Sequence, residues 1–409
     1  MSAATTPIEV DVAIIGGGLT GASLAAALAD TALRVLLIES VPFGQAGQPS
    51  FDERTTALGN ASRRIFGALG VWEALAAEAG VIRSIHVSDA GRFGFARLEA
   101  AEQGIEAFGY VVPNRVLGAA LWQRLAAAPR LILRAPARLE SLEVSAAGAE
   151  LRLVAAQAER FRARLVVGAD GANSQVRAAA GIAASVEDYR QVALVANVAS
   201  DEPHAGRAFE RFTPAGPIAV LPLARGDRAV IWARAPADAE RLLALDDAGY
   251  LAELQAAFGW RAGRFTRAGK RASYALELTR AAAPTAARTV LIGNAAQALH
   301  PIAGQGFNLA LRDAAMLAEV LAAGGDAGAP ELLARFAAWR ERDRRGVTRF
   351  TDSLVKLFGD ARPGVALLRN LGLLLFDVSP PAKSALARVS AGFAGPSPRL
   401  ARGLGLSRG

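Results

Sequence analysis

The stretch Val10-Asp11-Val12-Ala13-Ile14-Ile15-Gly16-Gly17-Gly18-Leu19-Thr20-Gly21 decides how this chain folds. An apolar, β-rich run ends in three glycines, and the small and apolar residues Leu19–Leu28 follow at once. The pattern predicts strand, tight turn and helix, and Arg34–Ile38 predicts the next strand of a βαβ unit. Gly16, Gly18 and Gly21 fit G-x-G-x-x-G: the first permits the turn, the second lets a pyrophosphate approach the backbone, the third lets helix pack on strand. The helix N-terminus then faces the phosphate charge. Glu39 closes the second strand, where an acid accepts ribose hydroxyls. An acid there disfavours a 2′-phosphate, so the ligand expected is FAD or NAD rather than NADP.

Outward from this unit the texture changes several times. Ser84–Phe108 reads as irregular, with several glycines and short apolar pieces such as Ile85–Val87. Leu117–Leu125 is helix-like, Leu131–Leu133 strand-like, Leu139–Val144 and Leu151–Val154 predict a hairpin around Gly148, and Arg164–Val167 predicts a buried strand. Val192–Val198, Arg207–Phe212, Ile218–Leu223 and Ala229–Ala233 alternate as strands of an antiparallel sheet with one face on a core. Thr289–Ile292 restores a buried strand and Phe307–Leu321 a helix; after Leu333 the chain reads as helical and Arg-rich, and beyond Pro396 as frayed.

The expected architecture is therefore α/β, a Rossmann-like dinucleotide domain (1–83, 109–187 and 284–335) interrupted by a mainly antiparallel β domain (84–108 and 188–283). A helical region, 336–395, and a flexible tail, 396–409, complete it.

Composition removes several classes of chemistry. The 409 residues include no cysteine, so thiolate nucleophiles, dithiol redox pairs and Cys-ligated metals are excluded. His86, His204 and His300 lie about a hundred residues apart and form no metal-ligand pair. Residues 331–409 hold twelve Arg and two Lys against two Glu and four Asp, an excess that equals the whole net charge of +8. The neutral body has no basic stripe with interleaved aromatics, so nucleic acid is not an expected partner; a membrane-surface or partner-docking tail uses that charge better. No basic residue precedes Arg34, and the longest late apolar run, Val365–Val378, is broken by Arg369, Asn370 and Asp377. A cytoplasmic protein is expected, peripheral at the inner membrane where that tail docks.

Two further glycine turns favour FAD over NAD. Leu165-Val166-Val167-Gly168-Ala169-Asp170-Gly171 puts an Asp-Gly pair after a strand, and Gly293-Asn294-Ala295-Ala296-Gln297 leads to His300-Pro301-Ile302-Ala303-Gly304-Gln305-Gly306-Phe307-Asn308 and a helix. A second helix N-terminus suits a reduced flavin, whose ring carries negative charge.

Together with Phe51-Asp52-Glu53-Arg54, Ser84-Ile85-His86-Val87-Ser88-Asp89 and Glu210-Arg211-Phe212-Thr213-Pro214, these motifs resemble the FAD-dependent aromatic hydroxylases of the p-hydroxybenzoate hydroxylase type. Within them the resemblance is to the ubiquinone-biosynthesis hydroxylases, nearest the 2-polyprenyl-6-methoxyphenol hydroxylase branch, over residues 8–380. It implies hydroxylation of a polyprenylated phenol through a flavin hydroperoxide formed from O2, with NAD(P)H as reductant, within a ubiquinone-biosynthesis complex. It also implies that Gly16, Gly18, Gly21 and Glu39 hold the ADP half of FAD and that Arg54 and Arg115 contact the flavin. Asp170 would link FAD with the reductant, Asn294 would meet the ribitol or pyrophosphate, and Gly304, Gln305, Gly306 and Asn308 would surround the isoalloxazine. The wider family usually has Asp and His where Asn294 and Gln297 stand here. Phe212, Leu221, Pro222 and Pro301 are the substrate-site candidates, and His300 is the candidate for moving protons. Alternatives are another flavoenzyme of this fold, such as a hydroxylase of a different pathway or an isoprenoid reductase, and a non-catalytic FAD-bound scaffold.

Overall fold

The computed structural model describes residues 6–42, 54–154, 159–298, 304–343, 363–390 and 397–406. Strand β1 (Ile8–Ile15), helix α1 (Leu19–Leu28) and strand β2 (Val35–Ile38) form where the opening pattern places them. β1 pairs in parallel with β2 and with Arg160–Gly168, and the parallel core continues to Leu131–Arg134 on one side and Thr289–Leu291 on the other. These central strands are covered on both faces, which is why they read as continuous apolar runs rather than alternations. α1 is buried on nearly every side, wedged between the sheet and helices Asn114–Ala126 and Gln305–Ala322; its alanines let the three backbones approach. The expected hairpin is Arg138–Ser145 with Gly148–Val154, added antiparallel to Arg160–Gly168.

A second sheet runs Gln297–Ala298, Ala272–Ala281, Ala184–Ser200, Arg228–Arg234, Ile218–Pro222, Arg207–Phe212, Ser84–Asp89, Phe95–Glu99. All its pairs are antiparallel except one: Arg207–Phe212 lies parallel to Ser84–Asp89. One face packs on helices Pro236–Ala244 and Asp247–Phe258 through Trp232, Tyr250, Leu254 and Phe258. A small third sheet, Thr55–Gly59, Gly109–Pro113 and Gly80–Ile82, joins the two.

Three expectations need correction. Residues 84–108 are not irregular: Ser84–Asp89 and Phe95–Glu99 form a hairpin, disguised in sequence because the strand that pairs with it, Arg207–Phe212, lies over a hundred residues downstream. Residues 236–258 carry two helices that the mainly antiparallel β reading did not place, although Pro236 at the first helical turn and Asp246, whose side chain accepts from Gly249 N–H, both mark helix starts. The segment beyond Pro396 is not frayed over 397–406: Leu400 and Ala401 are buried in the main core, and Arg399 N–H donates to Glu319.

Part of the C-terminal charge is also used internally. Arg340 on helix 330–343 pairs with Asp313, and Asp343 with Arg312, both inside the interface with Gln305–Ala322. Lys383 lies 3.7 Å from both Glu102 and Asp377. Such buried pairs specify how helices seat rather than offering charge to a partner.

His86 and His204 are structural. The His204 Nδ1 accepts from Gly206 N–H at 3.0 Å and its Nε2 faces Leu223 O at 2.9 Å, which fixes the neutral Nε2–H tautomer. His86 is buried between Phe95 and Phe209, with its Nε2 2.8 Å from Arg261 Nη1. Burial first, then the nearby guanidinium of Arg261, pushes its pKa down to about 4. The unfolded chain therefore takes up this proton below about 6.5 while the folded one refuses it, and stability should be lost as pH falls from there toward 4. Between pH 7 and pH 5 the wild type is expected to lose about 2 kcal/mol more in urea unfolding than His86→Gln; identical pH dependence in the two proteins would contradict this.

Candidate active site

A cavity of about 1530 Å³ opens outside the carboxyl ends of β1, β2 and Arg160–Gly168 and runs beneath the second sheet. This is the place where open parallel sheets bind ligands, because there the turns leave helix N-termini and backbone N–H groups unpaired. One end is polar and built from the glycine turns. The other end is apolar.

At the polar end, Gly16 has φ +100°, and a Cβ there would meet Ala169 O at 2.5 Å. A Cβ on Gly21 would stand 1.9 Å from Gly16 O, so only glycine lets α1 start this close to β1. No side chain caps α1 at Gly18, so its first-turn N–H groups remain for an anion. Glu39 is buried beside the turn: its Oε2 accepts from Gly17 N–H at 2.8 Å and its Oε1 from Val41 N–H at 2.9 Å. The helix Gln305–Ala322 also points its N-terminus at the cavity, with Gly304 at φ +60° and no side-chain cap. A chamber of this size with two uncapped helix N-termini fits a dinucleotide with an attached ring system.

At the apolar end, the cavity-facing side of the second sheet contributes Ile85, Val87, Leu98, Phe212, Leu221 and Ile231. A wall that sequence reading missed comes from the C-terminal helices Pro363–Asp377 and Pro380–Ser390, through Leu373, Phe376 and Leu386. Polar clips seat this wall. Fully buried Asn370 accepts from Gly94 N–H at 2.7 Å and donates to Asp89 at 3.1 Å, while Asp377 accepts from Arg97 N–H at 2.6 Å and Ser384 donates to Gln103 at 2.7 Å. The only signal for this in sequence is a buried-type Asn inside an apolar helix, and its partners lie about 280 residues away.

Residues 9–351 match the FAD binding domain family. The chain belongs to that family. Ubiquinone hydroxylase UbiL of Rhodospirillum rubrum is 40% identical over 404 residues, covering 97% of this chain and 93% of that protein. The 3-demethoxyubiquinol 3-hydroxylase of Escherichia coli is 35% identical over 89% of this chain and 94% of its own length. Among solved structures, p-nitrophenol 4-monooxygenase PnpA from Pseudomonas putida superposes with a TM-score of 0.78 at 19% identity, covering 95% of this chain and 99% of that one, a likeness of fold.

In this FAD-binding family member most of the expected site residues meet at one cavity. Gly16, Gly18, Glu39, Arg54, Asp170, Asn294, Gly304, Gly306 and Asn308 border it, as do Phe212 and Leu221. Gly21 acts one layer behind, by its close approach to Gly16. Arg54 stacks over Tyr274 at 4.3 Å. Asp170 is largely committed to the fold: its carboxylate accepts from Ser174 Oγ, Gln175 N–H and Val176 N–H, capping the helix Gln175–Ala179. Asn308 is likewise a tie, accepting from Gly59 N–H and Ser62 Oγ and donating to Ala57 O and Gly304 O. Two expected residues stand apart from the cavity wall. Arg115 is exposed on the first turn of Asn114–Ala126, whereas its neighbour Asn114 lines the cavity and accepts from Thr56 Oγ1 at 2.7 Å. Pro222 packs its backbone against Gly80 rather than facing the chamber. His300 and Pro301 lie outside the described residues, as does the side chain of Gln305.

Replacing Gly21 by valine should force α1 off Gly16 and remove the close approach on which the turn depends. The variant is expected to purify with most of its bound flavin lost, read as the ratio of visible to ultraviolet absorbance; wild-type flavin content would contradict this.

Proposed function

We propose that the protein is an FAD-dependent monooxygenase that hydroxylates the ring of a polyprenylated phenol in ubiquinone biosynthesis. The observation that carries this reading is one continuous chamber, polar and glycine-built at one end and apolar at the other, in a chain 40% identical to a ubiquinone hydroxylase. Gly16, Gly18 and Glu39 would hold the ADP half of FAD, with Arg54, Asn294 and the Gly304–Asn308 turn along the rest. When bound, FAD supplies an electrophilic oxygen atom from O2 at the expense of a nicotinamide reductant. The chain's own contribution is position and dryness. Phe212, Leu221, Leu373 and Phe376 exclude water from the ring's side of the chamber, and the N-terminus of Gln305–Ala322 places its positive dipole end where negative charge develops. Hydroxylation of an electron-rich ring needs little more from protein groups than orientation and management of one proton.

The decisive experiment supplies 2-geranylphenol, O2 and NADH or NADPH to the FAD-loaded protein. Reductant consumption stimulated by the phenol, with one ¹⁸O atom from labelled O2 in the ring, is the expected result. A flavin that no reductant bleaches would favour the scaffold alternative and overturn the reading.

The same wall supports a peripheral membrane contact as part of this reading. Among the described residues no helix is long and apolar enough to cross a membrane. Yet Leu371, Leu375 and Val378 are exposed beside Leu373 and Phe376, which face the chamber. Thus one short segment presents apolar side chains both to the cavity and outward, as delivery of an insoluble prenyl tail from a lipid surface requires. The double variant Leu375→Glu with Val378→Glu should co-sediment with anionic phospholipid vesicles several-fold less than wild type at unchanged flavin content; equal sedimentation would rule the contact out.

A further inference from the structure

Among the described residues, Glu210 is the single ionisable side chain that the second sheet contributes to the lining of the apolar end. Its strand neighbours in register, Val87 and Ala219, also line the chamber and carry no charge. On its own strand, Arg211 alternates to the other face and reaches toward Gly259, and Arg207 is exposed at the strand start. On the adjoining strand, His86 stands with Arg261 on that far face, whereas Asp89, in register with Phe212 and so on the Glu210 side, is buried and accepts from Asn370 Nδ2 at 3.1 Å. The ionisable groups elsewhere in the lining, Glu39, Arg54, Arg138 and Asp170, come from the dinucleotide-binding segments. From the C-terminal helix, Asp377 turns outward to Arg97. The Glu210 side chain makes no hydrogen bond or ion pair with any described residue. Burial, with no compensating charge among the described residues, pushes its carboxyl up to about 7.

A carboxyl left without a partner in an apolar wall costs stability and is retained where a ligand supplies the missing partner. The wall faces the ring of the substrate under the reading above, and the one polar hydrogen that every phenol brings is its hydroxyl proton. We propose that Glu210 is the catalytic base that takes this proton during ring hydroxylation. The phenolic O–H bond breaks, the O–H bond of the Glu210 carboxylic acid forms, and the electron pair left on oxygen raises the electron density of the ring carbon that accepts the oxygen atom. That carbon then releases its hydrogen as a proton to solvent. Glu210 returns its own proton to the substrate oxygen, so the net change on the ring is C–H to C–OH. A base that titrates near ambient pH is half deprotonated there and still accepts a proton readily.

The inference rests on a phenolic substrate, so its test has one arm with turnover and one without. FAD-loaded wild type and Glu210→Gln are compared, with flavin content and melting temperature verifying that the variant folds; removal of the lone charge should leave it at least as stable. With 2-geranylphenol, wild-type kcat/KM should rise with pH through about 7 and level off, whereas the variant should be roughly 100-fold slower and show no step there. In the second arm 2-geranyl-4-nitrophenol binds as its phenolate at pH 8 without reductant, and calorimetry in two buffers of different ionisation heat counts protons. The wild type should take up about one proton, because a carboxylate and a phenolate cannot share that apolar end unprotonated, and the variant none. A variant that keeps the step near pH 7, or takes up as many protons as wild type, overturns the role of Glu210. Absence of turnover in the wild type would instead refute the hydroxylase reading, and the proton count would still decide on Glu210.

Discussion

The approach of α1 to the turn after β1 is the contact on which the molecule depends. A methyl group on Gly21 would occupy the space of Gly16 O, so the helix starts against the strand end only because both positions lack a Cβ. That seating aims the first-turn N–H groups of α1 into the crevice and brings Glu39, at the end of the neighbouring strand, against the same turn. The uncapped helix N-terminus and the buried acid beside it are thus consequences of one steric constraint rather than separate inventions.

The chamber beyond that turn is assembled from parts that share no local sequence. The hairpin 84–99, the strands 207–222 and the C-terminal helices each contribute one apolar wall, held in register by the parallel pairing of Arg207–Phe212 with Ser84–Asp89 and by the buried hydrogen bonds of Asn370. An apolar wall gives shape but little orientation, since burial of hydrocarbon is non-directional. Direction comes from the few polar groups in the lining, which is why a single carboxyl with no partner among the described residues has more chemical meaning than the many leucines around it.

Elsewhere the structure consumes polar groups that sequence alone leaves available. Asp170 and Asn308, each at the mouth of a glycine turn, are taken up in holding backbone N–H and C=O groups, and they shape the cavity by fixing its turns. The two ion pairs between Gln305–Ala322 and helix 330–343 absorb charge from the basic C-terminal region. His86 and His204 are held neutral by burial and by hydrogen bonds, and neither borders the chamber.

What the sequence determined by itself is everything that depends on neighbours a few residues apart. The βαβ unit, the glycine turn, Glu39 at its strand end, the later strand–turn–helix of residues 289–322 and the alternating strands 207–234 were all legible, because turn chemistry and side-chain periodicity are local. The paired hairpin at 84–99 and the wall from helices 363–390 were not, because their partners lie a hundred to nearly three hundred residues away and no spacing rule reaches that far. Nor could sequence say that Arg115 stays outside while Asn114 points in, or that, among the described residues, Glu210 is the ionisable side chain the second sheet brings to the chamber lining. A residue's face is set by register with strands elsewhere in the chain, and a carboxyl acquires an unusual proton affinity only when folding has removed water from around it.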